Sequence, residues 1–436
     1  MKTTFRWLFY FTVVLSGVLL ESRTSLAQSV SFTTNNYATG QQPFSVTAAD
    51  VFGSGRPAII TANLSDNTLT VLGNFGNGTF ASNATYTVGG SPRCVVATDI
   101  NGDGKLDLIS VGSSTTTVLT NYNSGSFGSN AVVNSGGNCA VTFDLNGDGK
   151  PDLLIGGGTS VIVFTNNGSG RFGSNATLNV LGNPVYSLAT TDANLDGKPD
   201  LIVANYSDGS LTVFTNNGSG SLGSNATYAV GSNPRSVIAA DINGDGFPDL
   251  IAGNSLGFPN STVSILTNNG GGIFGSNATV NVARGCYGVV AADFNGDGLT
   301  DLIAFDASDI PGIISVVTNS TAGFGTYFTI VAGHEPQAMA MADFNGDSKP
   351  DLVLGNTGNS ITVLLNSTLF ASPPLNIFSV GNQSVLYWKS PAPDSVLQST
   401  TNLASPNWTT VTSGVPIQGV TLTNTSPNLF FRLKSQ

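Results

Sequence analysis

The sequence has little charge. Of 436 residues, 9% are Asp, Glu, Lys or Arg, against about 25% in an ordinary soluble domain. Fifteen are basic and 26 acidic, for a formal net charge of −11. A surface that tracks phosphates needs clustered Lys and Arg, so nucleic-acid binding is excluded as a reading. Histidine occurs once. A single imidazole builds neither a zinc cluster nor a Ser-His-Asp triad, and His334, between Gly333 and Glu335, reads as a surface loop residue. There are three cysteines, an odd number that argues against a disulfide framework. Helical periodicity is almost absent, and so are long apolar runs. Disorder is excluded too, because 40% of the residues are hydrophobic and disordered chains are more charged and less apolar.

The one extended apolar run, residues 8–20, falls short of the roughly 20 residues that span a bilayer. It follows Lys2 and Arg6 and precedes Ser25-Leu26-Ala27. That order reads as a secretory signal peptide, residues 1–27, removed after Ala27. The mature chain is then expected to be secreted or at the cell surface, with no membrane span. Removing Lys2, Arg6, Arg23 and Glu21 leaves 25 acidic and 12 basic residues.

What the sequence has is a repeat. The phrase Asp-x-Asn-x-Asp-Gly-x-x-Asp begins at Asp99, Asp144, Asp192, Asp241, Asp293 and Asp343, the last with Ser348 in place of Gly, and a degenerate copy begins at Asp50. Successive spacings run from 45 to 52 residues, a period that signals a propeller or solenoid. Each unit reads as four short strands separated by Gly, Asn and Ser turns, the count of a propeller blade. The expected fold is all-β, a seven-bladed propeller over residues 28–371. The last unit lacks a fourth strand, and residues 32–37 resemble residues 80–86, so the N-terminus is expected to close the ring and remove its open edge. After Ser372-Pro373-Pro374 the repeat stops. Residues 375–436, with Trp388 and Trp408, read as a small β-sandwich-like domain.

The phrase converges carboxylate and amide oxygens at positions 1, 3, 5 and 9 on one hard cation, the donor set of Ca²⁺. The expected ligands are Asp99, Asn101, Asp103 and Asp107; Asp144, Asn146, Asp148 and Asp152; Asp192, Asn194, Asp196 and Asp200; Asp241, Asn243, Asp245 and Asp249; Asp293, Asn295, Asp297 and Asp301; Asp343, Asn345, Asp347 and Asp351. Eighteen of the mature acids thus sit in six loops, for about six structural Ca²⁺. The first unit carries Phe52, Ser54 and Ala58 at ligand positions and is expected to bind none. A plain Asn/Asp turn is the alternative for any single loop, but it leaves three carboxylates in mutual repulsion.

These phrases, with Phe127-Gly128, Phe172-Gly173, Phe274-Gly275 and Phe324-Gly325, resemble the FG-GAP or VCBS repeats that build the seven-bladed propeller of integrin α subunits. The resemblance covers residues 30–370. It implies calcium loops and a binding module, since the family includes adhesion proteins, lectins and some lyases.

The acidic loops all join the first strand to the second, which puts them on one face of the ring. The loops of the opposite face vary between units, as a binding face on a rigid scaffold would. One residue before a row of small side chains stand Phe44, Arg93, Asn138, Tyr186, Arg235, Tyr287 and Gln337. Together with Tyr206 and Phe258, an arc of Tyr186, Tyr206, Arg235, Phe258 and Tyr287 is expected to grip a peptide or stack on sugars. Alternatively these residues plug the channel mouth. Cys94 and Cys139 occupy equivalent positions in neighbouring units; such side chains point the same way round, which favours buried free thiols over a bridge.

Outside the six loops the mature chain has only Asp50, Asp66, Asp208, Asp306, Asp309, Glu335 and Asp394 as acids. No spacing among Asp208, Asp306 and Asp309 identifies a glycosidase pair. The expectation is therefore a non-enzymatic, monomeric adhesion or protein-binding propeller for an extracellular protein or glycan. A lectin is the second reading and a polysaccharide lyase or hydrolase the third.

Overall fold

The computed structural model describes residues 30–181, 183–255, 261–307 and 311–368, and the strand backbones within residues 376–435. Seven four-stranded antiparallel sheets follow one another as the blades of a propeller. Blade 5 is typical, with strands Pro234–Ala240, Asp249–Asn254, Thr262–Asn268 and Phe274–Asn281 running from the axis outward. The inner two strands are runs of small and β-branched apolar residues, and the Gly-rich turns between strands let each sheet fold back antiparallel.

The second strand of each blade carries most of the core. Asp249–Asn254, Asp200–Asn205 and Asp351–Asn356 are buried at all six positions, because neighbouring blades cover both faces of the sheet. The innermost strands are only partly buried. They line the axis, where small residues such as Ala239 and Ala240 pack without crowding.

The N-terminal strand closes the ring. Phe32–Ala38 pairs with Ser360–Asn366, with Phe32 opposite Asn366 and Ala38 opposite Ser360. The seventh blade is thus built from both ends of the repeat region, and its inner strand Pro336–Ala342 packs on Pro43–Ala49 of the first blade.

Blade 6 departs from the pattern. Its outer strand is Phe328–Val331, four residues where five blades have eight. A cleft of about 640 Å³ opens beside it, lined in part by Val280, Asn281, Phe324, Thr326 and Tyr327.

The C-terminal residues belong to a second compact unit. Two three-stranded sheets form there, one from Asn376–Val380, Gln383–Tyr387 and Gly419–Thr423, the other from Thr409–Thr410, Ser395–Thr400 and Phe430–Ser435. Trp388 and Trp408 lie outside the described residues. Among the described residues, no helix is long and apolar enough to cross a membrane.

Candidate functional site

Each acidic loop is wound around its first aspartate. Asp99 Oδ1 accepts the N–H groups of Gly102 at 2.8 Å and Asp103 at 3.2 Å, and Oδ2 accepts that of Gly104 at 2.7 Å. The same set recurs at Asp144, Asp241 and Asp343. The sixth position has a left-handed φ: 81° at Gly104 and 63° at Ser348, where glycine would carry less strain. In the first blade Asp50 still accepts from Ser54 and Gly55. The loop therefore folds on one carboxylate, without the other expected ligands.

The fifth position faces outward. Asp103 accepts the backbone N–H of Lys105 at 3.0 Å, and the Lys105 ammonium stands 3.1 Å from Oδ2. Lys150, Lys198 and Lys349 pair with Asp148, Asp196 and Asp347 in the same way.

The ninth position does something the phrase does not announce. Asp107 is fully buried; its Oδ2 accepts the N–H of Ile100 at 3.1 Å and its Oδ1 that of Asn121 at 2.6 Å. Asp152, Asp200, Asp249, Asp301 and Asp351 repeat both bonds. Burial pushes the carboxyls of Asp107, Asp152, Asp200 and Asp249 above the usual range, with repulsion from the other two carboxylates of each loop adding to it. Asp351 is pushed up to about 6 for the same reasons.

The residue types fit a hard cation, since every donor is an oxygen and each loop holds three mutually repelling carboxylates. Among the described residues, however, no three acidic, His or Cys side chains are gathered closely enough to hold a metal as they stand. The ninth aspartates have both oxygens turned to backbone amides.

Those aspartates belong to a relay that joins the blades. In six of the seven blades an asparagine at or near the end of the third strand donates its side-chain N–H to the carbonyl of the phrase's second residue in the preceding blade. Asn121 reaches Val51 at 2.8 Å, Asn166 reaches Ile100 at 2.7 Å, Asn268 reaches Ala193 at 2.8 Å, Asn319 reaches Ile242 at 3.2 Å and Asn366 reaches Phe294 at 3.0 Å. Asn74 reaches Phe344 at 3.0 Å across the closure. Asn216 is the exception, its buried Nδ2 having no partner.

The opposite face is shaped by β-bulges, which insert an extra residue and re-aim its side chain. In three blades the residue before a proline has a left-handed φ, at Gln42, Asn233 and Glu335, and the pairing register then shifts, between Pro43 and Ser45, Pro234 and Ser236, and Pro336 and Ala338. The displaced residues are Phe44, Arg235 and Gln337. A similar shift between Val185 and Leu188 displaces Tyr186.

Four of the five arc residues meet there. The Arg235 guanidinium lies 4.4 Å from the centroid of Tyr186 and 4.0 Å from that of Tyr287, so it is stacked between two rings from the flanking blades. Tyr206, on the one helical turn among the described residues, Tyr206–Asp208, packs edge-on against Tyr186 at 5.1 Å. Phe258 lies outside the described residues. Further round the same row, Arg93 donates to Asn138 at 2.8 Å.

Cys94, Cys139 and Cys286 are free thiols; Cys139 and Cys286 are buried, while Cys94, expected to be buried, is only partly so. Burial pushes Cys94 up to about 11 and Cys286 up to about 12. His334 is exposed, Asp208 is exposed and Asp306 is buried, while Asp309 lies outside the described residues.

The profile of the FG-GAP-like repeat matches residues 50–110, 144–203, 192–252 and 255–304, and that of the FG-GAP repeat matches residues 233–272 and 336–365. Among solved structures, BBS1N in a lead-soaked crystal with ARL6DN is similar at a TM-score of 0.54 and 12% identity, over 80% of this chain and 100% of that one. A mercury-soaked crystal of the same complex gives 0.54 and 13%, over 77% and 96%. An Agrocybe aegerita lectin that recognises non-reducing terminal N-acetylglucosamine gives 0.48 and 20%, over 74% and 87%. No curated protein matches.

Proposed function

The chain belongs to the FG-GAP repeat family, and from that premise we propose a secreted, calcium-stabilised propeller that binds an extracellular partner through the face opposite its acidic loops. In this reading residues 1–27 are a cleaved signal peptide, residues 28–371 the propeller and residues 375–436 a separate small β-domain. The mature protein is a monomer.

The observation that carries the reading is the Tyr186–Arg235–Tyr287 stack. Tyr and Arg dominate the energetics of protein interfaces, and here they come from three successive blades of a rigid ring. The partner is therefore a protein first; a glycan is the second reading, with no distinct observation behind it. A catalytic role finds no support in the residue inventory, whose single histidine is an exposed loop residue.

The purified mature protein on arrays of extracellular proteins and of glycans, with and without calcium, tests the reading. The expected result is binding to a protein, lost in a Tyr186→Ala/Tyr287→Ala variant. Binding that survives the double substitution would move the site to another face. Cleavage of a glycan would make the protein an enzyme.

A further inference from the structure

We propose that Arg235 is a carboxylate-recognition site that takes an Asp or Glu side chain from an acidic segment of a protein partner. This rests on the opposite face being the binding face. The chemistry follows from what is satisfied and what is not. Three other tyrosines, Tyr37, Tyr86 and Tyr228, donate their hydroxyls to the carbonyls of Gly78, Gly125 and Gly272. Those are structural bonds between blades. Among the described residues, the hydroxyls of Tyr186, Tyr206 and Tyr287 have no hydrogen-bond partner, and neither has the Arg235 guanidinium, although Arg56 and Arg93 are both hydrogen-bonded.

A guanidinium held within 4.4 Å of the centre of one ring and 4.0 Å of another is kept in place by both. What it presents is its N–H edge, a fork that matches a carboxylate bidentately. All four side chains are half-buried, so the fork is pre-organised and partly desolvated, which strengthens a charge-assisted bond. The tyrosine hydroxyls add further donors around it.

A peptide carboxylate is favoured over an acidic sugar. Sugar recognition by stacking needs open aromatic faces at the centre of the site, and here the guanidinium covers one face of both Tyr186 and Tyr287.

The test titrates the mature protein with acetyl-Gly-Asp-Gly-Glu-Gly-amide, its Asn/Gln isostere and trigalacturonate, each followed by saturation-transfer NMR. The acidic peptide is expected to bind at least tenfold more tightly than the isostere. Arg235→Lys keeps the charge but loses the fork, and is expected to weaken binding at least tenfold. Tyr186→Phe/Tyr287→Phe keeps the stack and its fold, and is expected to weaken it roughly threefold to tenfold.

Equal binding of the two peptides, binding of neither, or binding of trigalacturonate alone would overturn the proposal. So would an Arg235→Lys variant that binds as the parent does. On the protein array, partner binding lost in Tyr186→Ala/Tyr287→Ala but kept in Arg235→Lys would sink the carboxylate site and leave the binding face standing. Array binding indifferent to both variants would remove the face itself.

Discussion

At the scale of the residue, the asparagines closing the third strands separate two roles that look alike in sequence. Asn166 donates to Ile100 of the preceding blade and to Pro151 of its own, and accepts from Gly168. Asn166→Ala leaves the buried carbonyl of Ile100 without that donor and should cost about 1–3 kcal/mol. Asn216 already has an unpartnered Nδ2, and its side chain retains only the bond from Gly218, so Asn216→Ala should cost at least about 1 kcal/mol less. Urea unfolding of the two variants measures the difference. The cysteines give a second check. With Cys94 pushed up to about 11, roughly one thiol in a thousand is ionised at pH 8. Ellman's reagent should therefore leave the folded chain nearly unmodified and titrate all three thiols after unfolding; fast reaction of the native protein would contradict the burial.

At the scale of the element, the acidic loop serves two ends with different carboxylates. Asp107 is held by two backbone N–H groups, so Asp107→Asn turns a donor towards a donor and should destabilise the calcium-free protein by about 1–3 kcal/mol. Asp103, exposed beside Lys105, should tolerate Asn within about 0.5 kcal/mol without calcium. If both are ligands, each substitution also reduces the rise in melting temperature on adding calcium. A calcium response that Asp107→Asn leaves intact would confine that aspartate to the relay. The phrase was legible in the sequence because a strict spacing of oxygen donors is visible without coordinates. Its ninth position was only half legible, because the backbone amides facing Asp107 belong to a residue seven places back and to another strand. The asparagines of the third strands recur in all seven units, yet asparagine is so common in turns that the recurrence reads as punctuation. The arc was legible as a row of variable large residues. The stack at Arg235 was not, because ring planes depend on where the β-bulges fall.

At the scale of the whole molecule, the seven blades, their order and the returning N-terminal strand followed from the period and the missing fourth strand of the last unit. The short outer strand of blade 6 did not, since Phe324-Gly325 keeps the motif while the pairing beyond it fails. If six sites with Kd of about 0.1 mM are filled at about 1 mM calcium, together they add on the order of 8 kcal/mol. Chelator should then lower the melting temperature by at least about 10 °C, and an unchanged melt would dismiss the calcium proposal. Deleting residues 28–38 removes the partner of Ser360–Asn366 and exposes a sheet edge. Size-exclusion chromatography should show that protein as dimers or larger species rather than a monomer.

The pairing of Phe32 with Asn366 also sets a schedule. The two residues are 334 positions apart, so at about 5–20 residues per second the first strand leaves the ribosome roughly 17–67 s before its neighbour exists. Six blades can form in the order of synthesis, each against the one before. The ring itself becomes possible only when the final blade arrives, and until then the earliest segment of the propeller waits as a free end.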